Sequence, residues 1–254
     1  MNNFLQQPLD KGWFKKQSIY LLPNLFTLIA LFAGFFSIIQ SINHHFEAAA
    51  FAIFTAMIFD SLDGRIARLT HSQSAFGTEF DSLSDMVSFG VAPAALSYIW
   101  MLKKINNGWM IAFIFCACTA LRLARFNIMA SDATTSKRWF IGMPSPAAAA
   151  IVAGFVWVCY AYHYTNIAHL DWITFALTIF TGISMVVNIP FWSFKEIHFH
   201  QQVPFIVMLG LVLGILLFVY EPPLVFFTSF LCYSLSGYIV ALYQCLGKLT
   251  GWRK

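Results

Sequence analysis

Charge is what this sequence has least of. Its 254 residues hold 15 Lys and Arg and 11 Asp and Glu, 10% of the chain, against about 25% in an average soluble domain. That is too little to coat a water-soluble globule of this size. It also excludes disorder, which requires low hydrophobicity and high charge. Cysteine is sparse too. Five Cys in 254 residues exclude a disulfide-dense secreted scaffold, and all five lie in apolar runs, where the expected role is that of a small buried apolar residue. Cys116 and Cys118 project their thiols about 200° apart on a helix, which removes them as a metal pair. What is abundant is apolar: 59% hydrophobic residues and 28 Phe, with a mean hydropathy of +0.70, make lipid the expected solvent.

The gaps between charges locate the spans. No charge falls between Arg138 and Asp171, between Glu196 and Glu221, or between Glu221 and Lys248, and each gap exceeds the roughly 20 residues a membrane helix needs. The pattern predicts an all-α, polytopic membrane bundle of about eight transmembrane helices, near 18–41, 47–68, 79–102, 109–130, 145–164, 170–190, 203–220 and 223–246. Glu221-Pro222-Pro223 makes a tight re-entry between the last two. The first apolar run is too long for a cleaved leader and lacks a small-residue cleavage site, so it reads as a span. Residues 1–17 read either as an interfacial segment lying on the membrane or as a polar tail. With the N-terminus in the cytoplasm, thirteen Lys and Arg fall inside and only Lys103 and Lys104 outside, so both termini are expected to be cytoplasmic. The net charge of +4 is then a topology signal and an attraction to anionic headgroups. It is no argument for nucleic acid.

The few acids are not scattered. Of seven Asp, four stand at 60, 63, 81 and 85, at the junction of spans two and three. Asp60 follows AAAFAIFTAMIF directly, deep enough to be costly. Asp60 and Asp63 are i,i+3 and Asp81 and Asp85 are i,i+4, so each pair shares a helix face, and a short turn lets the two pairs face each other. Four carboxylates at close range cannot all stay ionised without counter-charge. The alternatives are an interhelical polar clamp or divalent cations, and oxygen-only ligands select hard ions such as Mg²⁺, Mn²⁺ or Ca²⁺. Paired ions of that kind suit displacement at phosphorus. Gly64 and Gly77 would let a ligand or a neighbouring helix come close to the backbone. Arg65 reads as a positive-inside anchor, whereas Arg68, one turn beyond Gly64, reads as a phosphate ligand. The His residues at 44, 45, 163, 169, 198 and 200 lack a third ligand nearby and are not expected to bind metal.

The spacing Asp60-x2-Asp63-Gly64-x2-Ala67-Arg68-x8-Gly77-x3-Asp81-x3-Asp85 resembles the signature of the CDP-alcohol phosphatidyltransferases. The resemblance implies a six-span catalytic core over residues 18–190, preceded by the segment 1–17 and followed by a C-terminal pair of helices over 191–254. It implies a site with two divalent cations, Mn²⁺ or Mg²⁺. Asp60, Asp63 and Asp81 would hold one, and Asp60, Asp81 and Asp85 the other. It further implies Asp85 as the general base on the acceptor hydroxyl, and Gly64, Ala67, Arg68 and Gly77 lining the nucleotide site. Asn24 and Thr27, i,i+3 in span one, read as further nucleotide contacts or as interhelical hydrogen bonds.

Four segments outside the signature, LPNLFTL (22–28), SFGVAPA (88–94), RLARFN (122–127) and FIGMPSPAAA (140–149), resemble the phosphatidylserine synthase branch. A fifth, NIPFWSFK (188–195), fits that branch less well. The branch implies CDP-diacylglycerol and L-serine as substrates, surrounding membrane lipids, a homodimer, and a bacterial inner-membrane location with the site facing the cytoplasm. Serine carries a carboxylate, so its pocket should hold a cation. Arg122 and Arg125, with the amide of Asn127, are candidates, and topology anchoring is the other role open to the two Arg. Lys137 and Arg138 are candidates for a lipid or substrate phosphate, or for anionic headgroups. Another acceptor within the family (glycerol phosphate, inositol phosphate or choline) is the alternative function. A cation- or proton-coupled transporter is a remote one, since the Asp cluster has no counterpart in residues 140–254.

Overall fold

A computed structural model describes residues 11–131, 139–192 and 205–249. Among these, nine α-helices follow in order: α1 (Lys11–Ile42), α2 (Phe46–Leu69), α3 (Ala75–Asp85), α4 (Ala92–Trp100), α5 (Gly108–Ser131), α6 (Ser145–Ala161), α7 (Leu170–Val186), α8 (Phe205–Tyr220) and α9 (Pro222–Leu249). The stretch Met86–Val91 is a π-helix that joins α3 to α4 without a break, so the described helices form eight rods at the eight predicted positions. Among the described residues, three stretches are long and apolar enough to cross a membrane: Leu22–Ile42, Gly108–Met129 and Pro222–Gln244. Ser145–Ala161 and Leu170–Val186 are apolar and shorter. The first helix begins at Lys11, so residues 11–17 continue it, while residues 1–10 lie outside the described chain.

The π stretch has a local cause. Pro93 stands at the start of α4 and has no N–H to bond the carbonyl one turn back. The chain adapts by wider bonding, Ala92 N–H reaching Val87 O. Ser88, inside this stretch, donates to Ala30 O of α1 at 3.0 Å, and Gly34 makes the approach possible, because a Cβ there would stand 2.4 Å from Ser88 Oγ. Ser84 adds a second tie to α1, donating to Thr27 O at 3.2 Å.

Helix α1 packs along α2, α3 and α4, and α2 packs along α6. Their shared faces form one apolar core, built on small residues of α2 and α6 (Ala49, Ala50, Ala149, Ala153) with Ile53, Phe89 and Trp100. A second core joins α5, α6 and α7 with Phe115, Ile151 and Met185. The chain between α5 and α6 and the chain after α7 meet in a two-stranded antiparallel ribbon, β1 (Trp139–Ile141) with β2 (Pro190–Trp192), in which Phe140 faces Phe191. Gly142 is required at the ribbon's corner: its φ is +85°, and a Cβ would lie 2.3 Å from Met185 O. Helix α9 packs against both cores. Phe226 stacks on Phe54 with ring centroids 4.1 Å apart, and Gly154 of α6 lets the α9 backbone at Phe227 come close. Helix α8 packs on α9, and the Tyr162 hydroxyl donates to Glu221, pinning the turn between them.

Candidate active site

The four Asp come from α2 and α3. These two helices each pack on α1, and a cavity of about 350 Å³ opens between them. The connecting turn is built to hold that opening. His71 takes a left-handed conformation (φ 50°). Ser72 is buried and shares a 2.7 Å hydrogen bond with Thr70. Ser74 caps α3 by accepting from Gly77 N–H at 3.0 Å.

One carboxylate oxygen each of Asp60, Asp63 and Asp81 lies within 4.8 Å of the others, close enough to share an ion. Asp60 is also within hydrogen-bonding reach of Asp85. Asp63 is 4% exposed, and its Oδ2 accepts from Thr27 Oγ1 at 2.8 Å. Asp81 Oδ1 is buried and has no hydrogen-bond partner among the described residues. A buried carboxylate oxygen without a donor is costly, and a hard cation would satisfy it. Among the described residues, Arg122 is within electrostatic reach of Asp60 and Asp85 and Arg68 borders the cavity, so the described cations beside the four carboxylates are fewer than the acids. The donor set, its spacing and its orphaned oxygen all fit a divalent cation.

Asn24, Thr27, Gly64, Ala67, Arg68 and Gly77 all line the cavity, together with Asp63 and Asp81. The two glycines differ. A Cβ at Gly77 would stand 3.1 Å from Ser74 Oγ and 3.3 Å from Asn24 Oδ1, so this glycine serves the packing of the turn against α1. A Cβ at Gly64 would meet nothing within 4 Å among the described residues, so their packing does not require glycine there. Arg68 Nε donates to Gly64 O at 2.9 Å, which holds the guanidinium along the cavity wall.

Residues 20–187 match the family described as CDP-alcohol phosphatidyltransferase. The chain belongs to that family. It is similar to the CDP-diacylglycerol–serine O-phosphatidyltransferase of Helicobacter pylori (strain J99), 35% identical over 233 residues, which cover 90% of this chain and 95% of the relative. The protein of the same name from Methanocaldococcus jannaschii is 36% identical over 178 residues, 70% of this chain and 77% of the relative. That from Saccharomyces cerevisiae is 37% identical over 157 residues, 57% of this chain and 56% of the relative.

In this phosphatidyltransferase the acceptor-side candidates divide. Arg122 lies by the Asp cluster and donates from Nη1 to Ser145 Oγ at 2.6 Å. Asn127 is paired with Ser82 of α3, Nδ2 to Oγ at 3.0 Å, one residue along from Asp81. Arg125 instead reaches Val186 O at the end of α7, 3.4 Å away. Lys137 and Arg138 lie outside the described residues. Sequence reasoning gave no role to Ser145, although the FIGMPSPAAA segment contains it, nor to Ser72, Ser74 and Thr78, which also line the cavity. The Ser74-x2-Gly77 pairing at the start of α3 is the one local signal that pointed to such a cap.

Proposed function

We propose that the protein transfers the phosphatidyl group of CDP-diacylglycerol to the hydroxyl of L-serine, giving phosphatidylserine and CMP, at a cytoplasm-facing site in an eight-span protein of a bacterial inner membrane. The observation that carries this is the carboxylate cluster at the edge of a 350 Å³ cavity, a volume suited to a small polar ligand such as a nucleotide. Relatives of matching length whose names give this reaction support serine as the acceptor. Thirteen inward cations support the orientation. The homodimer implied by the resemblance belongs to the same reading.

Asp60, Asp63, Asp81 and Asp85 would hold two divalent cations, Mn²⁺ or Mg²⁺. When bound, these ions neutralise the pyrophosphate and stabilise charge on the leaving oxygen. The remaining work falls to side chains of the chain. Gly64 admits the nucleotide to the α2 backbone, Arg68 pairs with a phosphate oxygen, and Asn24 and Gly77 border the same ligand from α1 and α3. The hydroxyl oxygen of serine attacks the phosphorus that carries diacylglycerol, and Asp85 accepts the hydroxyl proton. The bond from that phosphorus to the bridging oxygen breaks, and CMP leaves with the electron pair. Arg122 holds the serine carboxylate beside Asp85, a fork-shaped donor suited to a planar anion. Lys137 and Arg138 meet headgroup or substrate phosphates.

An acceptor screen tests the assignment. Purified protein with CDP-diacylglycerol and Mn²⁺ should release CMP with serine and not with glycerol phosphate, inositol phosphate or choline. Release with one of the others in place of serine would overturn the acceptor assignment.

A further inference from the structure

The guanidinium of Arg122 has five N–H donors. One of them is taken by Ser145 at the first turn of α6. The guanidinium lies within electrostatic reach of Asp60 and Asp85 and also of the phenol of Tyr233. Tyr233 belongs to α9, outside the residues 20–187 that match the family.

The position of that phenol is fixed by an unusual amount of structure. The ring of Tyr233 lies 5.9 Å from the ring of Phe191, tilted by 42°. Phe191 is fully buried and locked in register opposite Phe140 in the ribbon. Gly237, one turn further along α9, lets that ring lie against the helix, since a Cβ would stand 2.3 Å from Phe191 Cε1. Tyr238 anchors the same turn, its hydroxyl sharing a 2.5 Å hydrogen bond with Ser184 Oγ. Phe191, Met143, Ala147 and Ala148 share one apolar cluster with Tyr233, which brings α9 to the same turn of α6 that holds Ser145.

We propose that Tyr233 is a positioning residue that, with Ser145, seats Arg122 to receive the carboxylate of the acceptor. This rests on serine being the acceptor. A guanidinium beside two carboxylates of the metal site is drawn toward them, and the bond to Ser145 restrains it from α6. The phenol offers it a second attachment, on α9 rather than on the two helices that carry the carboxylates. The last helix, which carries none of the family's motif, thereby contributes to acceptor selection.

The test uses the full chain in lipid–detergent micelles with CDP-diacylglycerol and Mn²⁺, reading CMP release against serine and against CDP-diacylglycerol. Tyr233→Phe keeps the ring against Phe191 and removes only the oxygen. It should raise KM for serine about tenfold, the scale of a hydrogen bond to a charged group, and leave KM for CDP-diacylglycerol and the melting temperature within error. Tyr238→Phe, which removes a hydroxyl from the other α9 ring that lies against Phe191, should leave both KM values unchanged. An unmoved serine KM in Tyr233→Phe, or parallel changes in both KM values with a lower melting temperature, would refute the seat while leaving the reaction in place. A wild-type protein that ignores serine and uses an uncharged alcohol would refute both the acceptor and the seat.

Discussion

Replacing Gly64 by Ala should make the protein more stable and nearly inactive. A glycine inside a helix costs about 1 kcal/mol relative to alanine. At most such positions a packing neighbour explains the cost, but at Gly64 an added methyl meets no atom within 4 Å. Nothing in the protein opposes the substitution, so the fold should gain up to about 1 kcal/mol. The methyl would stand on the wall of the 350 Å³ cavity, where the nucleotide is proposed to lie against the α2 backbone. A ligand pushed off that wall by about an ångström is misaligned for transfer, and displacement on that scale costs roughly a hundredfold in rate. The two halves are measured separately, by thermal unfolding of the purified protein in detergent and by CMP release at saturating serine. Gly77→Ala provides the contrast. Its Cβ would press on Ser74 Oγ at 3.1 Å, disturbing the cap of α3, so it should lose about 1 kcal/mol of stability. Gly64→Ala with wild-type turnover would show that the glycine is not there for a ligand, and a lowered melting temperature would show that the open space is not open.

Other expectations follow from the same geometry. Asp85→Asn keeps the shape of the side chain and removes the base, so CMP release should fall to background; retained turnover would exclude Asp85 from proton transfer. Chelation by EDTA should abolish activity and Mn²⁺ or Mg²⁺ should restore it, whereas undiminished release after chelation would argue against the ion-holding role of the cluster. Thr27→Val removes the 2.8 Å donor to Asp63 and should raise the Mn²⁺ concentration for half-maximal activity about tenfold, as loss of a partner behind a metal ligand does. An unchanged Mn²⁺ titration would leave Thr27 with a structural role only.

The two levels of structure were not equally readable from sequence. The rods were legible because their evidence is local: the absence of charge over long runs and the Pro and polar residues between runs located all eight, although the first helix begins at Lys11, well before the expected start at 18. The Asp quartet was legible because its spacing is short range, two pairs on two helix faces across one turn. The cleft between α2 and α3 was harder to foresee. A short turn suggests helices lying flat together, but both helices bury their faces on α1 instead, and the polar ends diverge around the cavity. The ribbon was missed because its two strands are three residues each, too short to show an alternating pattern, and lie far apart in the chain, with Phe140 opposite Phe191. FIGMPSPAAA and NIPFWSFK stood out separately in the sequence, and the ribbon explains why they occur together. The approach of α9 to Arg122 depends on packing between residues more than one hundred positions apart, for which a single sequence carries no signal.

The π stretch of Met86–Val91 has a consequence for rotational phase. An α-helix turns about 100° per residue, and a π-bulge accommodates an extra residue within an otherwise continuous helix. The rod from Ala75 to Trp100 therefore changes the direction of its faces midway. Its first half points Asp81 at the cleft and brings Asp85 to Asp60, and its second half points Ala92, Leu96 and Trp100 into the apolar core. The bulge acts as a phase shifter between a polar program and an apolar one written on a single helix. Removing one residue between Met86 and Val91 would rotate the carboxylates by about a quarter turn relative to the anchored half, whereas shortening the rod beyond Trp100 would leave their aim untouched.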